Sequence, residues 1–330
     1  MEQLKGRNNV KQVREDQHKC VFQKQLTGDS ADKTRRYSNL LAWDKCIDTV
    51  NILSPHILKA DSENHLLTYE WIDGKSIQNM CEESGKRPSK KLLEDIAINL
   101  AKVNSLPDVS HGDEIQIGLV SNGFLLSLKK EEYANLSGGE ISLIGILQHD
   151  RQLIQAVESY FQELIHSEHH LGMCHGDFRL DQVMLGDDQQ LYMVDFEEFH
   201  YGYTACDISG LLGSLFFNAL FTVFSSAPDA LSETTDFAGY YQSEELKAFD
   251  EVAPLLSSCI AAYEKELGER VDLSEIAYFV AWFMIERIIS RAKFVFKISP
   301  ADRAILGTAR AIILNPADFI DLICDSEMGK

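Results

Sequence analysis

The sequence predicts an α+β chain in two lobes: a small N-terminal antiparallel sheet with one helix packed on it, then a larger, mostly helical lobe. Three observations carry that expectation. Short β-rich segments crowd the first part of the chain, and helical periodicity takes over after Glu70-Trp71-Ile72-Asp73-Gly74. Finally, the stretch from Met173 to Asp207 packs carboxylates and cations into turns between short apolar segments. The lobes are expected at residues 1–73 and 74–330.

Within the first lobe, NVKQVRE (9–15) and HKCVFQKQL (18–26) read as a hairpin turning at Asp16-Gln17, its second arm rich in β-branched and aromatic residues. Ser30 is the expected N-cap of a helix from Ala31 to about Val50, with Tyr37, Leu40, Leu41 and Ile47 near helical spacing. HILKAD and HLLTYEWI follow as strands around Ser62-Glu63-Asn64. Beyond Gly74, Ser89 caps a helix to about Asn104, residues 124–133 and 141–147 read as helical, and a longer amphipathic helix runs from Asp150 to about His166. QVML and LYMVDF are two strands joined by the turn Gly186-Asp187-Asp188. Helices are expected from Thr204 to Phe224, Ser243 to about Leu267, Leu273 to about Ile298, and from Ala301 onward, with 225–238 as a loop.

With 330 residues, 45% hydrophobic and 25% charged, the chain has the composition of a soluble globular protein large enough to divide in two. Lys and Arg total 31 against 51 Asp and Glu, a net charge of −20 that argues against nucleic-acid binding and is compatible with a cationic substrate. The seven cysteines are scattered and form no Cys-x-x-Cys pair, so reduced thiols in a cytoplasmic protein are expected. No signal-peptide core follows Met1. The most apolar run, Leu211 to Phe224, is shorter than a bilayer span and contains Asn218, which predicts a buried helix and no membrane partner.

The chemistry concentrates in 173–207. Phosphoryl transfer from ATP needs a carboxylate beside the attacking hydroxyl, a carboxylate on Mg²⁺ and fixed positive charge over the phosphoryl group. His175-Gly176-Asp177 places an Asp after a glycine turn, where Asp177 is suited to orient and deprotonate a hydroxyl, and Arg179 is suited to stabilise phosphoryl charge. Val194-Asp195-Phe196-Glu197 ends an apolar strand with Asp195 and Glu197 as hard oxygen ligands for Mg²⁺. Taken singly, these residues read as a core histidine and a solvated acidic edge; as an ordered pair of motifs they read as a site.

HGDFRLDQVML followed by LYMVDFEEF resembles the HGDxxxxN and (I/V)DxE motifs of the aminoglycoside phosphotransferase and choline kinase superfamily. That resemblance implies a protein-kinase-like two-lobed fold, with an N-terminal nucleotide-binding lobe and an acceptor site in the helical lobe. It implies ATP- and Mg²⁺-dependent phosphorylation of a small-molecule hydroxyl, with Asp177 as base and Asp195 as chief metal ligand. VFQKQL resembles the family's third strand, making Lys24 the phosphate lysine, and LKGRNNVKQV resembles its nucleotide-covering loop, with Gly6 and Asn8. LLTYEWIDGKS resembles the adenine hinge, so backbone groups of Glu70, Trp71 and Ile72 would meet the base.

Within the superfamily, VDFEEFHYGYTACDISGLLGSL resembles a methylthioribose kinase segment, and MIERIISRAK resembles that family's paired substrate arginines. Arg287 falls on the second of these, and Tyr201, Trp282 and Glu286 complete the expected acceptor set, although an aromatic helix of this kind is more often core. Asp207, shared with the same segment, is expected to cap its helix and brace the loop. The departures are specific. Gln182 stands at the motif asparagine as the third expected metal ligand, Arg36-Tyr37-Ser38 stands where Arg-Glu-Ala would pair with Lys24, and Glu286 replaces the first substrate arginine, which argues against methylthioribose itself. Two further readings stand beside the small-molecule kinase: a pseudokinase that binds nucleotide without efficient chemistry, and a protein kinase, which the absence of a DFG-to-APE segment disfavours.

Overall fold

A computed structural model describes residues 3–4, 8–16, 19–109, 122–166, 170–225 and 237–328. The chain forms two compact units, residues 1–116 with 171–207, and residues 117–170 with 208–330. The boundary expected after Asp73 therefore falls inside the first unit, which also holds the motif-bearing stretch.

In the first unit, β1 (Gln3–Leu4), β2 (Asn9–Asp16), β3 (Lys19–Gln25), β4 (Ile57–Asp61) and β5 (Leu66–Glu70) form one antiparallel sheet in the order β1-β2-β3-β5-β4. The register sets Lys24 opposite Leu67 and Phe22 opposite Tyr69. Because side chains alternate along a strand, Lys24, Phe22 and Tyr69 share one face. Between β3 and β4 runs helix α1 (Ser30–Val50). Its cap is Asp29 rather than Ser30, the Asp29 carboxylate accepting from the amide of Asp32 at 3.0 Å. A charged cap suits the positive end of the helix dipole, so the preceding acid takes the role and the serine becomes the first helical residue.

Five further strands and two helices complete the sequence-local part of this unit and its return. These are β6 (Gly74–Ser76), α2 (Ile77–Ser84), α3 (Lys90–Asn104), β7 (Leu171–Cys174), β8 (Val183–Gly186), β9 (Leu191–Met193) and β10 (His200–Tyr203). Ser89 caps α3 as expected, accepting from the amide of Leu92. β6, β8 and β9 pair as one small sheet, and β7 pairs with β10 as another. The strand expected to carry Val194 to Phe196 stops at Met193, and Phe196–Glu198 form a 3-10 turn.

The second unit is helical: α4 (Lys130–Ala134), α5 (Gly138–His149), α6 (Arg151–His166), α7 (Ala205–Ser225, its first residues in the first unit), α8 (Phe237–Leu267), α9 (Leu273–Ala292), α10 (Pro300–Leu314) and α11 (Pro316–Met328). The helix expected over 124–133 is broken into a 3-10 turn at Asn122–Leu125 and α4, and α9 ends six residues before Ile298. The loop expected at 225–238 lies almost wholly outside the described residues. α7 has the length and mean hydropathy of a bilayer span, yet 72% of its most apolar window is buried inside the protein, as expected of a core helix. Tyr278, Phe279 and Trp282 on α9 are likewise core, with Tyr278 stacked on Tyr160 at 3.6 Å.

One contact ties α1 to the functional stretch. Trp43 stacks face to face on Phe196 of the 3-10 turn, ring centroids 3.6 Å apart and 8° from parallel, and its indole N–H donates to Ser54 Oγ at 3.0 Å. Phe199 meets the same indole edge-on at 5.3 Å. Trp43→Ala should therefore cost about 3–5 kcal/mol, the usual toll for removing a buried large aromatic. Denaturant unfolding of the first unit would read this as a lowered midpoint, and a loss below about 1 kcal/mol would show that the site turn does not depend on the stack.

Candidate active site

β7 delivers the turn His175-Gly176-Asp177. His175 is fully buried; its Nε2 lies 2.9 Å from the Val194 carbonyl oxygen, and its ring packs against Phe196 and Phe178. Burial holds this imidazole below its ordinary pKa, outweighing the pull of the nearby Asp207 carboxylate. The histidine is therefore a neutral strut between the two motifs. Gly176 has φ 86°, and a Cβ there would overlap the Glu198 carbonyl oxygen, so only glycine lets the turn close on the 3-10 segment. Asp207 braces this turn from below: its carboxylate accepts from the backbone amides of His175 at 2.6 Å and Gly176 at 2.9 Å, and from Asn104 Nδ2 at 3.0 Å. Asn104 also donates to the Met173 carbonyl at 2.8 Å. Asp207 lies in the first turn of α7, so its bracing role holds and the expected cap role does not.

Asp177 is exposed, and Arg179 Nη1 reaches both of its oxygens at 2.7 Å. The same guanidinium holds Asp181 through Nε at 2.9 Å. Burial alone would lower the Arg179 pKa, but Asp177 and Asp181 raise it, and its charge also reaches Asp195. A side chain expected only over the phosphoryl group thus also orients the candidate base. Gln182 is buried, and its carbonyl accepts from the Val194 amide at 3.0 Å, which sets it beside the start of the second motif.

Asp195 sits in the left-handed region at φ 69° and ψ 47°. Lys24 donates to its Oδ1, and the same ammonium lies 2.6 Å from Glu197 Oε2. Burial of Lys24 would lower its pKa, but the two carboxylates raise it; burial of Asp195 would raise its pKa, but Lys24 lowers it. The pair is ionised. Glu197 Oε2 also accepts from Asn8 Nδ2 at 2.8 Å and from Arg36 Nη1 at 3.3 Å. Arg36 is fully buried on α1, and it donates further to Asn8 Oδ1, Asp32 and the Thr27 carbonyl.

Two hard carboxylate oxygens converging on one cation are the donor set that a magnesium ion selects, and a nucleotide-bound magnesium needs only one or two protein carboxylates. Arg35 as well as Arg36 pairs with Asp32, and the charge of Arg179 reaches Asp195, so what the site offers a further cation is the pair of carboxylates on Lys24, Asp195 and Glu197. The residues present fit the ion.

Glu70 is exposed at the end of β5, its amide donating to the His56 carbonyl at 3.1 Å, and Trp71 Nε1 donates to Asp73 at 2.7 Å. Ile72 is half-buried, and Gly6 lies outside the described residues. Tyr201 is on β10 opposite Met173. Glu286 and Arg287 are on α9 in the second unit, where Glu286 accepts from the Trp282 indole at 2.9 Å. Sequence reading missed Arg36, Asn39, whose Nδ2 donates to the Glu197 carbonyl at 3.0 Å, and Asn104. A signal for the first was present: Arg36 falls in phase with the buried stripe Leu40, Trp43, Ile47 and Val50.

Because His175 is held neutral, the unfolded chain takes up a proton below about pH 6.5 that the folded chain refuses. Stability is thus full above that pH and falls as pH drops from there toward the depressed folded value. Melting of the wild-type chain should decline as pH falls below about 6.5, and His175→Gln, which keeps a donor for Val194, should flatten that limb. Equal slopes in the two chains would rule the histidine out as its source.

Comparison with known proteins follows the same lines. The model of the phosphotransferase enzyme family, APH, matches residues 3–251. No curated protein matches the chain. Among solved structures, the choline kinase LicA from Streptococcus pneumoniae superposes with a TM-score of 0.55 at 13% identity, over 94% of this chain and 92% of that one. A choline/ethanolamine kinase family protein from Mesorhizobium loti gives 0.51 at 11% identity, over 99% and 92%. The macrolide 2'-phosphotransferase MphH from Brachybacterium faecium gives 0.50 at 13%, over 96% and 91%. The fold is that of these kinases, and with most of its length matched by the family model, the chain belongs to the phosphotransferase enzyme family.

Proposed function

We propose that the protein transfers the γ-phosphoryl group of ATP to a hydroxyl of a small molecule, with Mg²⁺, in the cytoplasm. The observation that carries this reading is the convergence of Lys24, Asp195 and Glu197 at one point, beside a separately braced Asp177. Asp195, Glu197 and the Gln182 amide would hold Mg²⁺, which when bound neutralises charge on the β- and γ-phosphates. Lys24 lies next to that set, where its ammonium is suited to the α- and β-phosphates. Asp177 orients the acceptor hydroxyl and takes its proton; Arg179 steers that carboxylate and adds positive charge beside Asp195. Asn8, Gly6 and the backbone at Glu70, Trp71 and Ile72 would cover and bind the nucleotide. Seven cysteines held as reduced thiols agree with a reducing compartment.

Tyr201, Glu286 and Arg287 would contribute to the acceptor site. A carboxylate in place of an arginine at Glu286 favours a neutral or cationic acceptor over an anionic one, so amino alcohols and aminoglycosides rank above phosphorylated sugars. A second reading, nucleotide binding with little turnover, is motivated by Gln182 at the motif asparagine and by the grip of Arg179 on both oxygens of Asp177.

ATP turnover measured on a panel of amino alcohols, aminoglycosides, macrolides and methylthioribose separates the two. Asp177→Asn should lower turnover on the active acceptor by about 10³-fold or more while melting changes little. A wild-type rate no higher than that of the variant on every acceptor, with an ATP-induced rise in melting temperature in both, would establish the second reading.

A further inference from the structure

Resting on the reading above, we propose that Arg36 is the positioning residue for Lys24, acting through Glu197, so that the carboxylate which fixes the phosphate lysine comes from the 3-10 turn and not from α1. In a kinase-type site the phosphate lysine is held by a carboxylate on the helix beside the sheet. Here that helix offers Tyr37, whose ring meets His65 edge-on at 5.6 Å, and its buried charge is a cation instead.

The replacement is complete in geometry. Glu197 Oε2 receives three donors: the Lys24 ammonium at 2.6 Å, Asn8 Nδ2 at 2.8 Å and Arg36 Nη1 at 3.3 Å. Arg36 is itself fixed on all sides, through Nε to Asp32 at 3.0 Å, through Nη1 to Asn8 Oδ1 at 2.9 Å, and through Nη2 to the Thr27 carbonyl. The Asn8 side chain closes the ring, accepting from Arg36 and donating to Glu197, while its Oδ1 also accepts from the Thr27 amide at 3.2 Å. A planar guanidinium with no accessible surface is a rigid template, and each of its bonds is made in low dielectric where it is strong.

The consequence is directional. Were Arg36 absent, Glu197 Oε2 would keep only Lys24 and Asn8 as donors, and the carboxylate would be free to follow a cation that approached the site. With Arg36 in place the carboxylate stays put and Lys24 has one fixed anchor, whatever Asp195 is bonded to. Helix α1 thus still controls the lysine, as in a direct pair, but with one carboxylate interposed and the helix charge reversed.

The test uses the full-length chain with Arg36→Gln, Arg36→Lys, Glu197→Gln and the double variant Arg36→Gln with Glu197→Gln. Without nucleotide, the double variant should melt no lower than the less stable single one, because both remove the same interaction. Calorimetry should show the ATP Kd of Arg36→Gln raised about tenfold, both with Mg²⁺ and in EDTA, the loss of one charge-assisted contact. Arg36→Lys should recover part of that loss by retaining the charge, and in turnover the KM for ATP should rise while the acceptor KM does not move. Additive melting shifts, or an unchanged ATP Kd in a destabilised Arg36→Gln, would make Arg36 a packing residue and overturn the proposal. A wild-type chain that binds no ATP would instead defeat the phosphotransferase reading, and the melting comparison, which needs no nucleotide, would still decide whether Arg36 acts through Glu197.

Discussion

A charge inside a protein has to be matched, and the first unit is arranged around that requirement. Arg36 and Lys24 are both buried, one on α1 and one on β3, and the carboxylates that neutralise them arrive from a turn more than 150 residues further along the chain. The turn has one place to be. Trp43 stacked on Phe196 and the His175 ring lodged between the two motifs fill the apolar space that the charge pairing leaves, so electrostatics and packing specify the same position. Asp207 performs a similar service for the other motif by taking up the backbone amides of the glycine turn.

Much of this was legible in the residues. The strands and helices of the sheet-bearing segment follow alternation and helical period closely, and the cap of α3 is where Ser89 places it. The site motifs could be read because they are local: Asp177 and Asp195 stand at fixed offsets from a glycine and a short apolar strand. What could not be read is mostly non-local. β6, β7 and β10 are each three or four residues long and exist only because a partner strand lies opposite. α9 stops at Ala292, and the segment after it exposes Phe294 and Phe296, an apolar run that periodicity alone continues as helix.

The missing partner of Lys24 shows the limit most sharply. The acid of α1 in this network, Asp32, pairs with Arg36, and the acids on Lys24 are Asp195 and Glu197, 171 or more residues further along the chain. Arg36 carried the only local hint, a cation in phase with the apolar stripe of α1, and a cation in that phase must have a partner somewhere. Local pattern announces the need; the fold supplies the answer.

Asp195 holds a backbone conformation that side chains adopt reluctantly, and glycine would relieve it. On the proposed function, the fold and the chemistry therefore want different residues at one position. Directed evolution for soluble expression or heat resistance alone would drift toward glycine or asparagine there, enriching well-behaved but silent chains. Libraries built on this scaffold have to be selected for turnover from the first round.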